Sequence, residues 1–424
     1  MIEAVIERCA GIDVGRKFVM VCVMTGKADA APQYEIRKFL TLNQDLEKLR
    51  QWLHENQCTH VVMESTGSYW KPIFHVLDDG KLQVVLANSQ HVKNLRGHKT
   101  DRNDSRWLAH LLRHDMIRAS FIPPREVREL RDLTRRRKQL IGNAVDERNR
   151  VQRVLQEANV QLGAVLSDLF GESGLDMLDA LVNQEAAPEQ IAQLARKQAR
   201  KKIPQIQKAL EGHHMAEHHR KLIRHSMRHL AFLEDEIAEL DSEIAEQVKV
   251  GGLQAATDLV KSIPGIQQTA AAAIIAETGK DMSQFPTAPQ LPSWIGVSPG
   301  NNESAGKHKR GRTTKGNPWA RRTLVECAWS ATRKKDSATQ RLYDRWKPRL
   351  QHKRSLVAVA HWIALQIHEV LRTGTPYKAD TTPDLNPAQA VRLARHHTRR
   401  LKHLHKWLND QKDPATPTPS ACIA

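Results

Sequence analysis

Over residues 5–90 the apolar positions fall into short runs closed by glycine, proline or polar turns, the pattern of strands. Ile6–Val14 and Phe18–Met24 read as two strands joined by a tight turn at Gly15-Arg16-Lys17. Gln33–Leu40 is a third, after Gly26 and Pro32. From Asn43 the period changes, and Leu46, Leu49, Trp52 and Leu53 share one face of a helix reaching Asn56. Thr59–Met63 is a short buried strand, Tyr69–Leu77 a helix, Leu82–Leu86 another strand, and a further helix runs from near Asp101 to about Met116. Three antiparallel strands followed by alternating helix and strand is the order of an RNase H-like domain, with the spatial arrangement expected by analogy.

Downstream the pattern is helical. Leu130, Ile141, Ala144, Val151, Leu155 and Ala158 line a long helix from Arg125 to about Leu162, interrupted by Arg135-Arg136-Arg137-Lys138. Ile223, Leu230, Ile237 and Ile244 repeat at seven with Leu233 and Leu240 between them, either an intramolecular hairpin or a dimer seam. Leu166 to Lys202 reads as short helices broken at Gly171 and Gly174. Leu259 to Ile266, followed by Ala270 to Glu277, resembles a helix-hairpin-helix whose turn at Pro264-Gly265 would offer backbone N–H groups to a phosphate; Gln267 stands where a second glycine is expected. Asn317-Pro318 opens a helix as N-cap and first residue. The apolar run Leu356 to Leu371 is too short for a membrane span and contains His361, Gln366 and His368, so it reads as a buried helix. Residues 375–388 form a proline-rich linker before a basic helix from Ala388 to about Asn409 and a polar tail. The expected class is α/β plus α: an RNase H-like (RuvC-like) domain at 1–122, a helical coiled-coil region at 123–250, a mostly helical domain at 251–374, and an appendage at 375–424.

Charge narrows the partner. The 424-residue chain carries a net charge of +18, with a pI of about 9.8, which points to a polyanion. Residues 1–120 hold 17 Lys/Arg against 14 Asp/Glu, whereas 301–354 hold 16 against 4, interleaved with Trp319, Trp329, Tyr343 and Trp346. Five scattered cysteines without a C-x-x-C pair indicate reduced thiols in a cytoplasmic protein; no signal peptide opens the chain. His213, His214, His218 and His219 have no cysteine beside them and read as an exposed basic helix instead of a metal patch.

Against this basic background, four carboxylates stand out. Asp13 and Glu64 end predicted strands, and Asp101 and Asp104 lie three apart in a first helical turn. Gathering acids in a basic protein suits Mg2+ or Mn2+, which prefer oxygen ligands and bridge to phosphate; each acid alone has an ordinary capping or pairing role. A second signal is the loop Pro299 to Arg312, where Ser304 sits among glycines ahead of Lys307, Lys309, Arg310 and Arg312, with Lys315 beyond. Ser304 is either a nucleophile or a phosphate contact.

These segments together are specific. Ile12-Asp13-Val14-Gly15, Met63-Glu64-Ser65-Thr66-Gly67, Lys99-Thr100-Asp101 with Asp104, Ile263-Pro264-Gly265-Ile266, and Glu303-Ser304-Ala305-Gly306 through Thr314-Lys315-Gly316-Asn317 resemble the IS-one-ten family of insertion-sequence transposases. The resemblance runs from about residue 10 to 371 and includes Leu169 to Gly174. It implies a RuvC-like domain with catalytic, metal-holding acids at Asp13, Glu64, Asp101 and Asp104, and a coiled-coil module that builds homodimers, which assemble to homotetramers. It also implies a C-terminal transposase domain with its nucleophile at Ser304, and a structured guide (bridge) RNA that directs recombination of DNA. Members often carry two serines before the loop glycine; here the second is Ala305. Nucleic-acid contacts are expected at Lys307, Lys309, Arg310, Arg312, Lys315, Arg135, Arg136, Arg137, Lys138 and Gly265. The rival reading is a metal-dependent hydrolytic nuclease or junction resolvase in which the acids suffice; a silent nucleic-acid-binding protein would have no use for them.

Overall fold

The computed structural model describes residues 4–64, 67–87, 101–117, 119–120, 122–184, 186–300, 303–304, 307–308, 313, 315–335, 337–378, 391, 395 and 398–405, with the backbone alone at Asp101, Arg102, Gln184, Glu303, Ser304, Lys307 and His308. The chain divides into two compact units, Met1–Glu129 and Leu130–Ala424.

The first unit is built on β1 (Arg8–Val14), β2 (Phe18–Thr25), β3 (Gln33–Leu40), β4 (His60–Glu64) and β5 (Gln83–Ala87), with α1 (Asn43–Glu55), α2 (Trp70–Leu77) and α3 (Asp101–Arg113). The sheet order is β3-β2-β1-β4-β5. The first three strands pair antiparallel, whereas β4 and β5 run parallel to β1. This is the RNase H-like arrangement that the element order predicts.

Alternate side chains point to opposite faces. Ala10, Ile12, Val21, Val61 and Met63 pack under Leu46, Leu49 and Leu53 of α1 and Ile73 and Leu77 of α2. Cys9, Cys22, Met24, Val62 and Val85 face Leu108, Ala109 and Leu112 of α3. A sheet covered on both faces explains why β1, β2 and β4 read as nearly continuous apolar runs. Each buried Val, Ile or Leu contributes about 1.5–3 kcal/mol.

Two residues set α3 against the sheet. A Cβ on Gly11 would lie 2.3 Å from both the Ser105 carbonyl oxygen and the Ala109 nitrogen, so the helix backbone rests on β1. Arg113 is 1% exposed and donates to the carbonyls of Ile6, Glu7, Gly26 and Lys27, a satisfied guanidinium where an unsatisfied one would be costly. The helix stops short of the expected Met116 because Asp115 takes the left-handed conformation, at φ 52°.

The second unit pairs α4 (Arg125–Glu157), from Leu130 onward, with α8 (Glu217–Val250), enclosing α5 (Glu172–Asp179), α6 (Pro188–Gln193) and α7 (Ile203–Leu210) in the connection. Arg137 binds Asp241 through two bonds of 2.6 and 2.9 Å, and Arg148 binds Glu234 at 2.7 Å. Rising numbers on one helix meet falling numbers on the other, so the pair is antiparallel. Leu140, Ala144, Leu230 and Leu233 form its seam, with Ile237 and Leu240 beside them. Within the chain, then, the heptad residues build a hairpin, while Leu222 and Phe232 stay exposed on its outer side. His213 and His214 precede α8, and His218 and His219 begin it; among the described residues, no group of metal-ligating side chains forms there.

Beyond lie α9 (Gln254–Lys261), α10 (Gln268–Thr278), α11 (Gln290–Ile295), a two-residue hairpin of β6 (Glu303–Ser304) and β7 (Lys307–His308), α12 (Pro318–Thr332) and α13 (Ala338–Thr373). The long α13 breaks at Gln351, φ 65°, just after Pro348. Of the expected C-terminal basic helix, residues 391, 395 and 398–405 are helical and exposed, and the rest lies outside the described residues. Among the described residues no helix is long and apolar enough to cross a membrane.

Candidate active site

Strand register brings the acids together. Ile12 pairs with Met63 across the parallel β1–β4 ladder, so Asp13, the penultimate residue of β1, and Glu64, the last of β4, lie at one level on neighbouring strands. Ile12 and Met63 point into the core under α1 and α2; Asp13 and Glu64, next along each strand, point to the α3 face.

Helix α3 runs antiparallel to β1. Its last residue accepts from the Val5 and Ile6 N–H groups, Cys9 meets the Ala109 carbonyl, and Gly11 lies against Ser105 and Ala109. A strand advances ~3.3 Å and a helix ~1.5 Å per residue, so the step from Gly11 to Asp13 matches about four helical residues. That carries the Asp101–Asp104 turn to the level of Asp13. Asp13, Glu64 and Asp104 are half-buried, and the Asp101 side chain lies outside the described residues. Among the described residues no three His, Cys, Asp or Glu side chains form a finished metal cage. The donor set is nonetheless all carboxylate oxygen, which fits Mg2+ or Mn2+ and not a softer ion.

In the second unit, Ser304 pairs with Lys307 across the β6–β7 hairpin. The side chains of Ser304 and Lys307, and all of Lys309, Arg310 and Arg312, lie outside the described residues, whereas Lys315 is exposed. The loop is closed at its base by a bridge between Pro299 and Thr313. Its exit is tied more firmly. The Asn317 N–H donates to the Trp294 carbonyl at 3.1 Å, and its side-chain oxygen caps α12 through Trp319 N and Ala320 N at 2.9 and 3.1 Å. Its amide Nδ2 donates to Glu277 at 2.6 Å.

Glu277 is the junction that sequence reasoning missed. It is 2% exposed and takes both prongs of Arg135 at 2.7 and 2.8 Å, while Arg131 donates to the carbonyls of Ala276 and Glu277. One carboxylate thereby ties α4, α10 and the start of α12. The available signal was a lone glutamate closing the apolar run Ala270 to Ala276, since a buried acid needs partners.

The other expected contacts separate. Arg137 is held by Asp241 and Lys138 by Glu326 at 2.7 Å, while Arg136 is exposed. Gly265, at φ +89°, would place a Cβ 2.5 Å from the Ala331 Cβ and 2.7 Å from the Cys327 carbonyl, so close packing on α12 requires glycine there whatever its N–H faces. Burial pushes the thiols of Cys9, Cys58 and Cys327 up to about 12 and that of Cys22 to about 11. They stay protonated near neutrality and are poor nucleophiles.

Residues 10–160 match a transposase family of the DEDD, IS110 type, and residues 257–344 match the Transposase IS116/IS110/IS902 family. The chain belongs to the IS110 family of transposases. This transposase is therefore an enzyme that acts on DNA in the movement of an insertion sequence, and the DEDD fold implies dependence on a divalent metal. The structure titled "Thermus thermophilus RuvC structure" aligns over 27% of this chain and 99% of its own, at 12% identity and a TM-score of 0.22. No curated protein matches the transposase.

Proposed function

We propose that the transposase is a bridge-RNA-guided serine recombinase in which Ser304 and the four acids act on the same DNA phosphodiester. The observation that carries the reading is the placement of Asp13 and Glu64 near the ends of neighbouring strands, level with the Asp101–Asp104 turn. The loop of Ser304, closed at its base and carrying four cations after the serine, supports the second half.

In this reading the Ser304 Oγ attacks the phosphorus and gives up its proton as the new O–P bond forms. The bond to the 3′ oxygen breaks, and that oxygen departs as a 3′-hydroxyl by taking up a proton. The phosphodiester energy is conserved in the phosphoserine, so a 3′-hydroxyl from another strand can reverse the step and join a new partner without ATP. Asp13, Glu64, Asp101 and Asp104 would hold the divalent ion, which when bound neutralises phosphoryl charge and eases loss of the serine proton. Cations at Arg136, Lys307, Lys309, Arg310, Arg312 and Lys315 hold backbone phosphates, and base pairing to a guide RNA selects sequence. Two duplexes must be joined, which suits homodimers, with residues 123–250 as the dimerising region, meeting as a homotetramer.

The test is strand exchange between element ends and target DNA, with and without element-derived RNA. Recombination that needs the RNA and fails in both Ser304→Ala and Asp13→Asn supports the proposal. Cutting by Ser304→Ala at the parent rate makes this a hydrolytic nuclease, and RNA-independent joining removes the guide.

A further inference from the structure

The sheet face that carries Asp13 and Glu64 continues past the acids to the free edge of the sheet. Asp13 pairs with Met20 across β1–β2, and Met20 pairs with Lys38 across β2–β3. Lys38 therefore lies level with Asp13, on the same face and about 10 Å away at two strand spacings. Its ammonium stands 4.0 Å above the Phe18 ring. Arg106, two residues past Asp104 on α3, stands 4.2 Å above the Tyr34 ring, and Tyr34 is 49% exposed. The turn after Asp13 adds the exposed Arg16 and Lys17.

An edge strand also carries charge simply to discourage pairing with another chain. The opposite face of β3 fits that purpose: Arg37 is neutralised by Glu35 at 2.6 Å and rests on Trp52. On the acid face, among the described residues, neither Lys38 nor Arg106 is paired with a carboxylate. A cation over an exposed ring contributes only about 0.5–1 kcal/mol, too little to gather like charges in one place. Cations interleaved with accessible rings, running up to a group of acids, match the demands of a single nucleic-acid strand: phosphates for the charges and bases for the rings.

We propose that Phe18, Tyr34, Lys38 and Arg106 form a track that holds the single DNA strand flanking the cleaved phosphate. The occupant is DNA and not the guide because the track leads to the acids, and it rests on the reading that those acids act on DNA.

The test uses the full chain carrying Asp13→Asn, so that labelled single-stranded DNA is bound but not cut, with affinity measured as a function of salt. Replacing Lys38 and Arg106 together by Met, which keeps an apolar stem against each ring, should weaken binding about tenfold and flatten the slope of log Kd on log salt by about 0.7 for each lost cation. Tyr34→Ala should weaken binding about tenfold at unchanged slope, and Tyr34→Phe should restore it. Unchanged thermal midpoints establish that each variant is folded; should Tyr34→Ala fail to fold, the Lys38/Arg106 pair decides. Parent-like DNA affinity and slope in that pair, or a loss confined to structured RNA, overturns the track. The reading of the acids is judged separately: if Asp13→Asn alone still cuts DNA at the parent rate, that reading fails, whatever the binding measurements give.

Discussion

The smallest residue near the acids has the largest positional effect. With hydrogen in place of a side chain, Gly11 lets the α3 backbone rest on β1 and carries the Asp101–Asp104 turn to Asp13. Gly11→Ala would drive its Cβ into the α3 backbone at Ser105 and Ala109, which cannot rotate away, so it should destabilise the first unit by about 3 kcal/mol, near the top of the range for overpacking. Denaturant unfolding checks the cost, and metal-dependent cleavage should fall more than affinity for DNA; parent-like stability would mean that α3 moves aside freely. Asp13 and Glu64 were legible as acids ending strands. Gly11 was not, because a glycine in a strand looks the same whether it permits a turn or a close approach.

Elements were read well where their period was strong and less well where partners decide. The strands of the first unit were visible from their apolar runs, and the heptads of α8 were visible without their partner. That partner is α4, fixed by pairs such as Arg137 with Asp241, and charge pairing across a long connection leaves no local pattern. The four cations Arg135 to Lys138 illustrate the limit: their density suggested nucleic acid, yet three of them meet carboxylates in the same unit.

The α4–α8 seam also has a pH response. Burial alone would raise the Glu147 carboxyl, but hydrogen bonds from His229 and Ser226 and the charge of Arg150 outweigh it and hold the group below its ordinary value. A carboxyl with a depressed folded pKa contributes stability that is present above its unfolded value, ~4.3, and lost as pH falls through the folded one. The thermal midpoint should therefore drop on acidification below that value, and drop less in Glu147→Gln; parallel curves would remove Glu147 from the explanation. At the base of the serine loop, Glu277→Ala should cost about 3 kcal/mol, the low end for a broken buried pair, because both arginines keep some exposure or a carbonyl partner. Glu277→Gln keeps an acceptor for Asn317 and should cost less, whereas equal losses would show that charge and not the Asn317 bond governs the junction.

For the whole molecule, a net charge of +18 concentrated after residue 120 accompanies a first unit that is almost balanced and holds the acids. The division suits an enzyme acting on DNA that keeps its carboxylates in the nearly balanced unit and most of its excess positive charge in the other. The resemblance to IS110-type transposases was legible because its motifs recur in fixed order, and the two family matches bear it out. Serine chemistry is the claim on which the proposed mechanism depends. The most direct measurement is peptide mass spectrometry of the denatured protein after reaction with its element ends, target DNA, element-derived RNA and Mg2+. The expected result is a nucleotide joined through phosphate to the peptide containing Ser304, absent in Ser304→Ala and reduced in Asp13→Asn. Metal-dependent strand cutting with no such adduct would contradict it and leave the four acids to hydrolyse DNA on their own.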